Sequence, residues 1–256
     1  MINKKEIFLN SNEHTFDLSF SDNLLLYNYA RLNNYNFCSM IGGPESIRDL
    51  QESKNISADA FEFPMIESLF SIEKIFFGLE KVFVNDSYPI IDKKIFINIS
   101  SKNGLELLKD LSELNVPEFI KRENIVFNFD RKLITKSLKI IKDDNFEITK
   151  FETEINSAIY RNLFLINDHY FSFSISGGIN ANSIKLMNSM NIKPKFIKTG
   201  LFTIKIATCK NQIFEKIFSL QLQEIKILNL MNKCLIHKNE YLNIRDSHLK
   251  DFIDNK

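Results

Sequence analysis

Phe37-Cys38-Ser39-Met40-Ile41-Gly42-Gly43-Pro44-Glu45-Ser46-Ile47-Arg48-Asp49-Leu50 sets the pattern for the whole chain. Residues 37–41 form a short apolar run that reads as a strand. A glycine pair then turns the chain, and Gly42-Gly43-Pro44 is expected to open a helix through Ser53. Proline suits a first helical turn because its missing N–H has no intrahelical partner there. The alternation repeats at once. Residues 58–63 read as a strand that ends at Pro64-Met65-Ile66-Glu67-Ser68, and Ser68 is placed to N-cap the following helix. Leu69, Ile72, Phe76, Leu79 and Phe83 recur at three and four residues, which puts them on one buried helical face.

Working outward, the same unit recurs in both directions. Before it, residues 16–20 read as a strand and 22–33 as an amphipathic helix. After it come strands at 94–99, 124–129, 170–176 and 195–199. Helical periods at 103–114, 133–141, 154–166 and 182–190 separate them, and 143–150 is polar enough for a loop. A helix at about 211–234 closes the pattern. Repeated strand–helix units argue for a parallel sheet with helices outside it. The fold class is therefore α/β. Seven strands are read, and residues 6–9 offer an eighth, so the expected architecture is a (β/α)8 TIM-type barrel, complete or lacking its N-terminal unit. Such a barrel takes about 250 residues, and the chain has 256. An open doubly wound sheet is the competing arrangement. With no Pro/Gly/Ser-rich linker, residues 1–256 are expected to form a single domain with the 211–234 helix at its end.

Composition excludes several function classes. The formal charge is +1, with 33 basic residues interspersed among 32 acidic ones, so no field favours nucleic acid. The 24 phenylalanines fall at core spacing and are not accompanied by a basic surface. No stretch approaches the roughly 18 apolar residues that span a bilayer, so no membrane partner is expected. Cys38, Cys209 and Cys234 lack CxxC spacing and cannot all pair, which points to reduced thiols and a cytoplasmic location. His14, His169, His237 and His248 show no metal or triad spacing.

In a barrel, chemistry gathers at the C-terminal strand ends. Five of the seven glycines, Gly42, Gly43, Gly177, Gly178 and Gly200, follow predicted strands. They either present N–H groups to an anion or simply permit tight turns. Neither pair forms GxGxxG or a Walker loop, so a nucleotide is not indicated.

Four segments together carry a resemblance. Ile41–Leu50, Pro64-Met65-Ile66-Glu67-Ser68, Ile97-Asn98-Ile99 and Ser176-Gly177-Gly178-Ile179-Asn180-Ala181-Asn182-Ser183-Ile184 are similar, in order and spacing, to motifs of the HpcH/HpaI aldolase/citrate lyase family. The resemblance runs from about Phe16 to Gly200. It implies a pyruvate-handling barrel in which Mg2+ or Mn2+, held by two carboxylates, stabilises the enolate formed when a carbon–carbon bond breaks. It also implies a small 2-oxo acid or acyl-CoA-type substrate, and a homo-oligomer is compatible with it. Gly42, Gly43, Glu67, Ser68, Gly177 and Gly178 become candidate substrate-binding residues, with Asp130 and Glu67 as candidate metal ligands.

The correspondence breaks at charged positions. Ser100 stands where the resemblance implies a metal-binding glutamate, Met40 where it implies a lysine, and Ser19 where it implies a first-strand carboxylate. Asp130 is either the second ligand, shifted by one residue, or a helix-starting carboxylate. Glu67 is either a substrate or metal ligand or half of an ordinary ion pair. Arg48 and Asp49 are expected to fix the packing of their helix. Two functions are therefore carried forward. One is a carbon–carbon lyase of altered site, whose metal would be weakly held or absent. The other is a non-catalytic relative that kept the barrel as a binding or assembly module.

Overall fold

The computed structural model describes residues 7–11, 20–84, 92–139, 148–177, 179, 194–206 and, further on, 217, 219–234, 236 and 240. Eight strands close into a barrel in the order of the chain. They are β1 (Ile7–Asn10), β2 (Asn36–Met40), β3 (Ala60–Phe63), β4 (Lys94–Ile99), β5 (Ile125–Asp130), β6 (Ser172–Ser176), β7 (Phe196–Thr199) and β8 (Phe202–Lys205). The first seven pair in parallel, and β8 runs antiparallel to both β7 and β1. The barrel expectation holds, with an eighth unit that departs from strand–helix alternation. Thr199 pairs with Phe202, so Gly200-Leu201 is a two-residue hairpin turn. Gly200 has φ 52, the left-handed backbone that a glycine at such a turn accepts without strain.

The helices that return the parallel strands are α1 (Phe20–Leu32), α2 (Ile47–Asn55), α3 (Leu69–Phe83), α4 (Lys102–Leu107, continued by a 3-10 turn Leu108–Glu113), α5 (Arg131–Ser137) and α6 (Ile148–Asp168). Ser68 caps α3 as expected, its side chain accepting from the Ser71 N–H. Ile72, Phe76, Leu79 and Phe83 form the buried face of that helix. Two expectations need correction. The run at 6–9 supplies the first strand, whereas of the expected strand 16–20 the described residue, Phe20, opens α1. Pro44 does not begin α2, which starts three residues later behind Ser46. The expected helix at 182–190 lies outside the described residues.

Alternation along the strands decides what fills the barrel. Phe8, Cys38, Ala60, Phe96, Val126 and Phe196, from six of the eight strands, meet in one buried cluster in the lumen. Its centre is three rings packed edge-on, with centroids of Phe8–Phe96, Phe8–Phe196 and Phe96–Phe196 at 5.8, 6.2 and 5.5 Å. Small partners, Cys38 and Ala60, leave room for those rings. Neighbouring positions such as Phe37, Phe61, Ile97 and Phe127 alternate to the outside and are fully buried there. The lumen is thus closed at mid-height by an aromatic plug, with polar positions one residue pair above and below it.

The chain divides into two compact units, Met1–Lys210 and Asn211–Lys256. The first contains the barrel. The second is helical over 219–234, with Leu220, Ile227 and Met231 buried. Among the described residues no helix is long and apolar enough to cross a membrane.

Candidate functional site

Because β2 to β6 are parallel, the turns that follow them share one end of the barrel, the C-terminal mouth. Gly42, Gly43, Glu67, Ser68, Ser100, Asp130 and Gly177 all lie there. Gly178 lies outside the described residues. The rim is wired together by local bonds. The Gly42 N–H donates to Asp49 Oδ2 at 2.8 Å, so the glycine pair closes its own turn and that N–H does not face a ligand. Asp49 thereby fixes α2 against the end of β2, as expected, while Arg48 pairs with Glu52 on the surface. The Gly43 carbonyl accepts from the Ser46 N–H.

Glu67 is exposed, and its carboxylate accepts a hydrogen bond from the Ser101 hydroxyl, tying the β3 and β4 turns together. Ser68 is occupied by the capping bond of α3. Asp130 caps α5: its Oδ1 accepts from the Leu133 N–H at 3.0 Å. Gly177 leans directly on this cap. A Cβ built there would meet Asp130 Oδ1 at 2.6 Å and the Lys132 nitrogen at 2.7 Å, and its φ is 77. A glycine is required at that contact.

Below the rim, the inward-facing positions above the plug carry a layer of polar side chains. Glu62 of β3 is 2% exposed, and Lys198 of β7 is 13% exposed. Lys198 Nζ donates to Glu62 Oε1 across the lumen, since β3 and β7 stand opposite in the closed order. The same oxygen accepts from Asn98 Nδ2 at 2.7 Å. Asn128 Nδ2 donates to Asn98 Oδ1 at 2.9 Å and to Ser176 Oγ at 3.2 Å, and Ser174 Oγ donates to Asn128 Oδ1 at 2.6 Å. One continuous polar chain therefore runs from β7 through β3, β4 and β5 to β6. On β1, Asn10 Nδ2 donates to Thr203 Oγ1 at 2.9 Å, and its Oδ1 is buried with no partner among the described residues.

Cys38 faces the lumen just below. Burial pushes its thiol well above the ordinary value, and the Glu62 carboxylate pushes in the same direction. It is a packed thiol rather than a nucleophile.

Two carboxylates are needed for the divalent metal that the resemblance implies, and the residues present do not fit it. Ser100 offers a neutral hydroxyl, Asp130 is engaged in capping, and Glu62, the buried carboxylate of the lumen, already faces an ammonium. Among the described residues no group of three or more His, Cys, Asp or Glu side chains is arranged to hold a metal. Glu67 and Asp130 make separate local bonds on different turns.

The lumen residues Glu62, Asn98, Asn128 and Lys198 escape a reading based on strand-end motifs. Their signal is a polar residue inside an apolar strand: Ala60-Phe61-Glu62-Phe63, Ile97-Asn98-Ile99, Phe127-Asn128-Phe129 and Phe196-Ile197-Lys198-Thr199. With period 2, each such residue shares a face with the barrel interior.

No family model matches the sequence, and no curated protein matches it. Solved structures do. An HpcH/HpaI aldolase/citrate lyase family protein from Burkholderia cenocepacia J2315 superposes with TM-score 0.54 at 10% identity, covering 86% of this chain and 85% of that one. The citrate synthase SbnG matches with TM-score 0.52 at 11% identity, and a variant of it with 0.53 at 13%; both cover 86% of this chain and 82% of the other. At such identities the likeness establishes a shared fold.

Proposed function

We propose that the C-terminal mouth of this aldolase/citrate-lyase-like barrel binds a small carboxylate, a 2-oxo acid being the first to test, and has given up metal-dependent carbon–carbon cleavage. One observation carries the reading: the buried Glu62 carboxylate is neutralised by Lys198 within the protein. A lyase of the implied kind needs free carboxylates to hold a hard cation, which otherwise keeps its water. Here the donors that a carboxylate ligand would meet are the N–H groups of the polar layer, on Asn98, Asn128 and the Glu62-paired Lys198. A binding module follows from that set more directly than a lyase. Three cysteines without CxxC spacing fit a cytoplasmic setting, and assembly of the barrel with further copies is compatible with this role.

The lyase reading stays as the second, because Glu67 and Asp130 remain at the rim where a rebuilt site would draw on them. Calorimetry with pyruvate and with oxaloacetate, each with and without Mg2+ or Mn2+, separates the two. The binding reading predicts carboxylate binding that is indifferent to the metal and lost in Lys198→Met. Tight metal binding, abolished by Asp130→Ala or Glu67→Ala and accompanied by turnover, establishes the lyase reading instead.

A further inference from the structure

Above the aromatic plug, the inward-facing layer holds one primary amine among the described residues, that of Lys198. Phe196, two residues earlier on β7, belongs to the plug, so the amine stands one layer nearer the C-terminal mouth. Lys198 is partly exposed, whereas the Glu62 carboxylate that it meets is buried. The ammonium is thus the member of the pair that a ligand at the mouth reaches first. Its neighbours along the sheet are short. Thr203 of β8 pairs with Lys198, and on β6 Ser176 lies two residues past Ser174, the partner of Phe196.

A purely structural ion pair in this position would be served better by arginine, whose planar guanidinium suits a buried carboxylate. What lysine alone offers is an amine that, once deprotonated, adds to a carbonyl carbon. A proton acceptor for that deprotonation is already in place. Lys198 Nζ donates to Glu62 Oε1, and Asn98 Nδ2 donates to the same oxygen at 2.7 Å, which holds the carboxylate at the lysine.

We propose that Lys198 captures a 2-oxo acid covalently, as a Schiff base at the ligand's C2 carbonyl, with Glu62 moving the proton. The inference rests on the carboxylate reading of this mouth and deepens it from binding to bond formation. The Lys198 ammonium gives one proton to Glu62, and the free amine adds to C2. The second proton passes from nitrogen to the former carbonyl oxygen, giving a carbinolamine. Glu62 then returns its proton to that hydroxyl, which leaves as water while the carbon–nitrogen double bond forms. Ammonium and iminium carry the same single positive charge, so Glu62 is matched before and after and no buried charge is stranded.

The test is reductive trapping of the full chain. The protein is incubated with pyruvate, sodium borohydride is added, and peptide mass spectrometry locates the product. Hydride adds to the iminium carbon and leaves a stable secondary amine, heavier than lysine by pyruvate less water plus two hydrogens. Lys198 is expected to be modified to completion at pyruvate concentrations that leave surface lysines such as Lys109 unmodified. Lys198→Arg keeps a positive charge opposite Glu62 and should lose the adduct, while Glu62→Gln should slow trapping about a hundredfold, the scale of one positioned acid–base group. The adduct is mapped in the unmodified protein, so the result stands even if a variant does not fold. Calorimetry with lactate, which has the carboxylate and no ketone, separates this proposal from the reading beneath it. Binding of lactate and pyruvate without trapping at Lys198, or trapping spread evenly over the lysines, overturns the Schiff base and leaves the carboxylate reading standing. If neither ligand binds and no adduct forms, both fall.

Discussion

The two mouths of one barrel carry different sets of inward-facing charges. At the C-terminal mouth, Glu62 and Lys198 reach across the lumen to each other, and Asn98, Asn128 and Ser174 extend that pair into a continuous chain. At the N-terminal mouth, Lys195 and Lys205 depress the Lys94 ammonium, while Glu123 and Asp92 act the other way. Between them lie Phe8, Phe96 and Phe196. A similar number of strands builds both ends, so the fold does not dictate the difference; the inward-facing residues do. An end whose charges are internally matched has little need of a metal.

The largest effect should come from removing the barrier between the mouths. Phe96→Ala deletes a ring that touches both Phe8 and Phe196, and is expected to cost about 3–5 kcal/mol of stability in denaturant melts. It should also let a thiol reagent reach Cys38. In the unmodified protein the raised pKa keeps Cys38 protonated through neutral pH, and the thiolate appears only as the pH climbs well above the ordinary thiol range. Measured in a Cys209→Ser background, exposed Cys234 should react promptly and Cys38 only after unfolding. Rapid native-state labelling of Cys38 would show that the mouths communicate.

A smaller effect tests the rim. Asp130→Ala removes the α5 cap and should cost about 1 kcal/mol, with no change in response to Mg2+ or Mn2+. A metal-dependent stability difference between the two proteins would place Asp130 in a cation site. Smaller still is the effect of Lys195→Gln. Removing one of the ammonium groups that depress Lys94 should stabilise the protein by roughly a few tenths of a kcal/mol at low salt, and the gain should vanish as salt screens the repulsion. A destabilising result would mean that the Ser172 bond outweighs that repulsion.

Much of the barrel was legible in the sequence because period-2 and helical patterns alternate so regularly from residue 36 onward. β8 was missed because Phe202-Thr203-Ile204-Lys205 follows β7 after two residues, where an alternating pattern leads one to expect a helix. The run at 16–20 is apolar enough for a strand, but a short apolar run does not distinguish strand from the opening of a helix, and Phe20 belongs to α1. At the site, motif positions located the rim correctly at one end of the barrel. They did not reveal that Gly42 spends its N–H on Asp49 or that Asp130 caps α5, since both depend on turn geometry seven and three residues away. Glu62 and Lys198 are 136 residues apart in sequence, and only closure of the barrel brings them together.

The central claim is that the C-terminal mouth satisfies its own charge, and a double-mutant cycle on Glu62→Gln and Lys198→Met measures it directly. Removing one partner leaves a buried charge unmatched, which costs about 3–5 kcal/mol. The account predicts that each single variant is strongly destabilised and that the double variant recovers most of the loss, with coupling well above the roughly 0.5 kcal/mol scatter of independent sites. Effects that simply add within that scatter would contradict it, showing that Glu62 and Lys198 do not hold one another and that Glu62 is free to bind a cation.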